Sequence, residues 1–376
     1  MAFLSLQSLG ASVRIALLVG LCGLIDNGIE FNRKCSLSDQ KYSNNGDVRA
    51  FSGRLCDWDT ARLFQMLFCN SCDRKSVVKP ALDKIYVDHA GHGDTRTVQE
   101  AVELVMDGNK KRVTIYISAG TYTEKVLVPN NKPYITFQGS GSDKTVITWN
   151  DNANKTGSTY KTASVAIEAD HFIAWNISFK NTAPTPGPGI IGAQAIALQV
   201  VGDKCAFYGC AVYGYQDTLN DHQGRHYFKE CYIEGIVDFI FGNARSLYES
   251  CIIRSNLDKW GAITAHSRLS EDEVTGFGFV HCSLIGTGQI FLGRAWRSYA
   301  RVVFASTYME EIINSQGWDD WGNKSADETV FYGEYNNNGP GASLAGRVSY
   351  TRALSSMEAA KYTHIDWING SDWLHG

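Results

Sequence analysis

The chain has 376 residues, enough to bury a large core, and its 35 Lys and Arg against 39 Asp and Glu give a formal charge of −4. At 44% hydrophobic, 20% charged and 12% aromatic it is a globular mixture, which excludes a disordered chain, and with no basic excess nucleic acid is not expected as a partner. The 36 Gly against 7 Pro, with this many aromatic residues, predict tight turns between strands and not a helical bundle.

At the N-terminus a single positive side chain, Arg14, precedes an apolar run over residues 15–25. Such a run is too short for a bilayer span, which needs ~20 residues, but suits the core of a secretory signal peptide over residues 1–25. No small-x-small cleavage site follows it. Residues 26–80 hold Cys35, Cys56, Cys69 and Cys72 and form an extension of unknown role. Cys69 and Cys72 make a CxxC pair, but no second pair follows at zinc-site spacing, so no metal is expected. Four Asn-x-Ser/Thr sequons, at Asn154, Asn176, Asn323 and Asn369, agree with a secreted glycoprotein.

From residue 81 onward the chain carries a repeat. An aromatic residue stands three positions before an anchor in Phe172–Trp175, Phe207–Cys210, Phe228–Cys231, Tyr248–Cys251, Phe279–Cys282 and Phe304–Thr307. The anchors are 35, 21, 20, 31 and 25 residues apart, within short runs of alternating apolar and polar residues. Alternation means strands, and a period this short means a solenoid. A propeller blade takes ~40 residues, whereas about twenty hold one coil of a parallel β-helix. Successive coils stack ~4.8 Å apart, so equivalent residues form ladders. Cys231 and Cys251, one coil apart, are either a disulfide or two reduced thiols in a core ladder.

The acidic residues follow the same register. Asp217 stands seven residues after Cys210, and Asp238 seven after Cys231. They are therefore predicted side by side, within about 5–7 Å. Two carboxylates so placed cannot both ionise readily, which separates a proton donor from a charged nucleophile or base. The alternative is two turn-forming aspartates, but the shared register and the apolar flank Phe239-Ile240-Phe241 favour the functional reading. Arg294 on a later coil can hold an ionised carboxylate through paired N–H groups, and Trp296 can offer a flat face to a sugar ring. Gln194 supplies N–H donors of the kind an oxyanion needs.

Together, Gly120-Thr121-Tyr122-Thr123-Glu124, QAIAL at 194–198, YQDTL at 215–219, DFIFGNA at 238–244 and LGRAW at 292–296 resemble the plant pectin methylesterases (pectinesterases), in order and spacing, from about residue 84 to 373. The resemblance implies an all-β fold, a right-handed single-stranded parallel β-helix with loops forming a cleft on one face, occupying residues 81–376. It implies hydrolysis of the methyl esters of galacturonate in pectin, without cofactor or metal. Asp238 resembles the nucleophile and Asp217 the general acid, then base. Gln194 and Gln216 resemble the oxyanion donors. Arg294 and Trp296 resemble substrate contacts, with Arg294 also orienting Asp238; Thr159 matches a further contact, and Trp318 is expected to line another subsite.

The implied setting is a monomer secreted to the cell wall, outside any membrane, with a proteinaceous inhibitor as a possible partner. The chain departs from the family in two places: Ala295 replaces the usual Pro, and residues 184–192 form a longer loop. The segment before the catalytic part is also too short for a full inhibitory pro-region. The competing expectations are another pectin-active β-helix enzyme, a polygalacturonase or pectate lyase, and a wall-binding protein without catalysis. Gly91-His92-Gly93 and Asp319-Asp320 echo polygalacturonase motifs but lack their companions.

Overall fold

The structure is a computed structural model and describes residues 83–185 and 191–374. The expected signal peptide, the 26–80 extension and its cysteines lie outside the described residues. Every strand pairing among the described residues is parallel, in one sheet of eleven strands and one of fourteen. Parallel neighbours separated by single coils of chain make a right-handed β-helix. The larger sheet doubles back at the long strand Ile252–His266, so it supplies two of the three faces.

The corner leaving the first sheet is built the same way on seven coils. Asn176, Gly209, Glu230, Ser250, His281, Ser306 and Asn336 all have φ between 47° and 57°, the left-handed region. That conformation turns the chain sharply, and its cost to side-chain-bearing residues is offset by the ladder. For example, the Glu230 amide donates to Glu249 O at 3.0 Å, and the Ser250 amide to Val280 O at 3.0 Å.

Inside the coils, like residues stack. The rings of Phe207, Phe228, Tyr248, Phe279 and Phe304 lie nearly parallel, with successive centroids 4.8, 4.6, 4.5 and 4.4 Å apart. This is the aromatic repeat of the sequence, with one correction. Phe207 pairs with Ala174, not Phe172, and Cys210 stands opposite Ile177, since Ala211 pairs with Ser178. The true interval is 33 residues, not 35. A slip of two keeps the same face of a strand, so alternation alone could not reveal it.

Cys210, Cys231, Cys251 and Cys282 form the neighbouring row, and all four are free, buried thiols. No disulfide joins Cys231 to Cys251. Instead the Cys231 thiol donates to Phe207 O and that of Cys251 to Phe228 O, each at 3.4 Å. The ~4.8 Å coil spacing exceeds the usual Cβ separation across a disulfide, ~3.8 Å, which favours the ladder.

The helix Val98–Leu104, started by a Thr97–Glu100 capping box, buries Val98, Ala101 and Val102 in the core beside the first coils. Near the C-terminus of the chain, Trp367 and Ile368 pack on the outer face of the first sheet at its middle coils, beside Ala206, Tyr227 and Leu247, and the Trp367 indole donates to Ser246 O at 3.2 Å. No helix among the described residues is long and apolar enough to cross a membrane.

Candidate active site

The predicted carboxylates occupy one corner of the solenoid, between its second and third faces. Gln216 bridges Val237, and Leu219 pairs with Ile240, so Asp217 and Asp238 are register neighbours. Both backbones are left-handed, with φ of 61° and 49°, a conformation Asp tolerates better than most residues. Their amides donate along the ladder, from Asp217 to Val237 O at 3.1 Å and from Asp238 to Ala262 O at 2.7 Å. Phe239 and Ile240 are fully buried beneath them, while Phe241 forms part of the cleft wall.

Arg294 ends the strand Ser283–Arg294 and reaches back to Asp238 across the intervening coil. That coil presents Ala262 and Ala265, small enough to let it pass. Arg294 Nε donates to Asp238 Oδ1 at 2.7 Å and Nη2 to Oδ2, a paired contact. The guanidinium lies 3.5 Å from the Trp321 ring centroid and 5.1 Å from that of Trp260. Both indoles are exposed. Flat faces over a planar cation hold it in orientation and limit its hydration.

The two carboxyls therefore differ electrostatically. Burial pushes Asp217 well above the usual carboxylate range, and the Asp238 charge pushes it further. Burial also raises Asp238, but the Arg294 hydrogen bonds and charge pull it back. Among the described residues the Asp217 carboxyl accepts no hydrogen bond. The pair is thus biased toward a protonated Asp217 beside an ionised Asp238.

Thr159, Gln194, Gln216, Asp217, Asp238, Phe241, Ala265, Arg294, Trp296 and Trp321 line one cleft of about 320 Å³. Among the described residues the side-chain amides of Gln194 and Gln216 make no hydrogen bond, which leaves their N–H groups free to donate into the cleft. The Ala295 amide donates to Asp319 O at 3.0 Å, a bond proline could not make. The substitution thus ties the Arg294–Trp296 segment to its neighbouring coil.

Trp318 is the exception among the predicted site residues. Its strand register runs through Gly293, Thr264, Ile240 and Leu219, the inward row. It is buried, stacks on Tyr332 at 4.2 Å, and donates from its indole to Glu334 Oε1 at 3.2 Å. Gly293 leaves room for it, since a Cβ there would stand 2.2 Å from Thr264 Oγ1 and 3.2 Å from the Trp318 ring. The aromatic residue that reaches the cleft is Trp321, three positions on, at a left-handed φ of 59°. Trp321 and Trp260 escaped the sequence reading, Trp260 because it follows an irregularity in its strand that no motif marks.

The Gly91-His92-Gly93 segment lies elsewhere, beside a depression of about 520 Å³ lined by Asp94, Arg96, Glu100 and Glu103. His92 is exposed and contacts only Asp88, at 3.2 Å, among the described residues. Nothing there resembles the carboxylate pair.

A parallel β-helix with paired carboxylates and a guanidinium in an open cleft defines the class as a polysaccharide-modifying enzyme. Residues 84–371 match the sequence profile of the Pectinesterase family. "Probable pectinesterase 8" of Arabidopsis thaliana is 48% identical over 296 residues, covering 77% of this chain and 75% of that protein. "Pectinesterase QRT1" of the same plant is 49% identical over 298 residues, covering 77% and 78%. Among solved structures, the pectin methylesterase from carrot superposes with a TM-score of 0.74 at 36% identity, covering 77% of this chain and 94% of that one. The chain belongs to the pectinesterase family, the carboxylic ester hydrolases that remove methyl esters from pectin.

Proposed function

We propose that Asp238 is the nucleophile of pectin de-esterification and Asp217 its acid and base. The observation that carries this reading is the asymmetry of two register neighbours, one held by Arg294 and the other without a hydrogen-bond donor among the described residues. An Asp238 oxygen attacks the carbonyl carbon of a galacturonate methyl ester. The carbonyl oxygen takes the negative charge and accepts N–H bonds from Gln194 and Gln216; losing one such donor typically costs about 3 kcal/mol. Collapse expels methoxide, which takes the Asp217 proton and leaves as methanol. This leaves an acyl-enzyme anhydride on Asp238 and an ionised Asp217. Asp217 then removes a proton from water as it attacks the anhydride, freeing the galacturonate carboxyl and regenerating both aspartates.

Trp296, edge-on to Phe241 with centroids 6.0 Å apart, gives a sugar ring a flat contact, and Thr159 stands in the same cleft. A related pectin methylesterase has been solved in complex with a hexasaccharide; it is 25% identical, with a TM-score of 0.65. We extend the reading to the whole chain: residues 1–25 direct secretion to the cell wall, 26–80 precede the catalytic domain, and 81–376 act as a monomer whose cleft an inhibitor protein would block. The N-terminal apolar run and the exposed sequons Asn154, Asn176, Asn323 and Asn369 support the secretory route.

The test is product analysis on methylated homogalacturonan. Methanol without new reducing ends or ultraviolet-absorbing unsaturated sugars is expected. New reducing ends would favour a polygalacturonase, and unsaturated product a lyase.

A further inference from the structure

The rim of the cleft carries a cation whose charge no neighbouring acid neutralises. Arg297 follows Trp296 and is exposed. Its guanidinium lies 5.8 Å from the Trp296 ring centroid. The cleft's own guanidinium, Arg294, is by contrast paired with Asp238. Among the described residues Arg297 has no ion-pair partner. Its field nonetheless reaches the cleft. Burial and Asp217 raise the Tyr160 phenol, and Arg297 pulls it back, so one hydroxyl is within electrostatic range of both the reacting carboxyl and this cation. Tyr160 itself adjoins Thr159 of the cleft lining.

The substrate gives such a cation something to read. A fully esterified galacturonan is neutral, and each turnover leaves a carboxylate beside esters that have yet to react. Arg294 cannot read that charge, because Asp238 already holds it. The planar guanidinium of Arg297, beside the Trp296 indole, suits bidentate capture of a carboxylate.

We infer that Arg297 is a specificity-determining residue, which binds the free carboxylate of a sugar near the one whose ester reacts and so directs the enzyme to partly de-esterified chains. This rests on the esterase reading of the cleft. An exposed pair of this kind is worth a few-fold in affinity, and salt screens it over about 8 Å at 0.15 M.

The experiment compares kcat/KM for methanol release from fully and half-esterified homogalacturonan, for wild type, Arg297→Gln and Arg297→Lys, at low salt and at 0.15 M. Wild type is expected to prefer the half-esterified chain about three- to fivefold at low salt, through KM, and to lose part of that preference with salt. Arg297→Gln should bring the ratio near one, and Arg297→Lys should restore most of it. An equal loss on both substrates in Arg297→Gln, or a preference that survives the substitution, overturns the role of Arg297 while leaving the esterase reading intact. No methanol from either substrate with wild type overturns the esterase reading and the inference with it.

Discussion

Two buried aspartate clusters sit within a few residues of each other in sequence, and only one faces solvent. Asp221 lies four residues after Asp217, with His226 nearby, and on paper the pair is as good a catalytic candidate. In the structure Asp221 and His226 are both fully buried. The Asp221 carboxylate accepts from the Tyr248 hydroxyl at 2.7 Å and contacts His226 Nδ1, while His226 Nε2 lies 2.8 Å from Gly202 O. Its neighbour His266 is also sealed, and burial pushes it down to about 3. Both Asp221 oxygens and both His226 nitrogens are engaged, and with Tyr248 all three residues are closed to solvent, so no substrate can enter. Asp238 is held on one side only, and Asp217 has no partner, in a cleft open to solvent. A full set of internal partners marks a structural carboxylate; an incomplete set beside free volume marks one kept for a substrate.

The sharpest way to break this distinction is at Asp217. Asp217→Ala is expected to lower kcat for methanol release about 10²- to 10⁴-fold, the range of a lost general acid–base group. The wild-type pH profile carries the same assignment. Activity should fall on the acid side as Asp238 is protonated, above the usual carboxylate range because burial raises it. It should fall on the alkaline side as Asp217, raised further, loses its proton. A profile whose alkaline limb is unchanged in Asp217→Asn would detach Asp217 from the chemistry.

A second contrast separates Trp318 from Trp321. Trp318→Ala should cost ~3–5 kcal/mol of stability, read by denaturant melts, because it empties a packed core position. Trp321→Ala should leave the melt nearly unmoved and reduce kcat/KM, since its ring rests on Arg294 at the surface of the cleft. The smallest expected effect is a gain. A carboxyl with a raised folded pKa keeps its proton where the unfolded chain has lost it, so its presence lowers stability as pH rises between the two values. Asp217→Asn should therefore raise Tm at neutral pH and not at pH 3, by differential scanning calorimetry.

Much of this was legible in the sequence, for a physical reason. Cys210, Cys231, Cys251 and Cys282 are one buried row, so their spacing reports the coil length directly. Asp217 and Asp238 share the offset of seven from that row, which placed them together before any coordinates. What failed depended on register or on distant contacts. Trp318, expected at a subsite alongside the resemblance, stands on the inward row instead, and alternation gives a strand two faces without saying which is inside. Phe172 was set two residues out because the slip preserves the face. Trp260 and Trp321 both lie over Arg294, which is 34 and 27 residues away in sequence, a contact no local pattern marks.

The most direct test sets Asp238→Asn beside Asp221→Asn, with methanol release measured per folded molecule. The account predicts that Asp238→Asn folds with wild-type cooperativity and loses at least about a thousandfold in kcat, as expected for a lost nucleophile. It predicts that Asp221→Asn melts earlier but that its folded fraction turns over at close to the wild-type rate. Full activity in Asp238→Asn, or a well-folded but inactive Asp221→Asn, would contradict it.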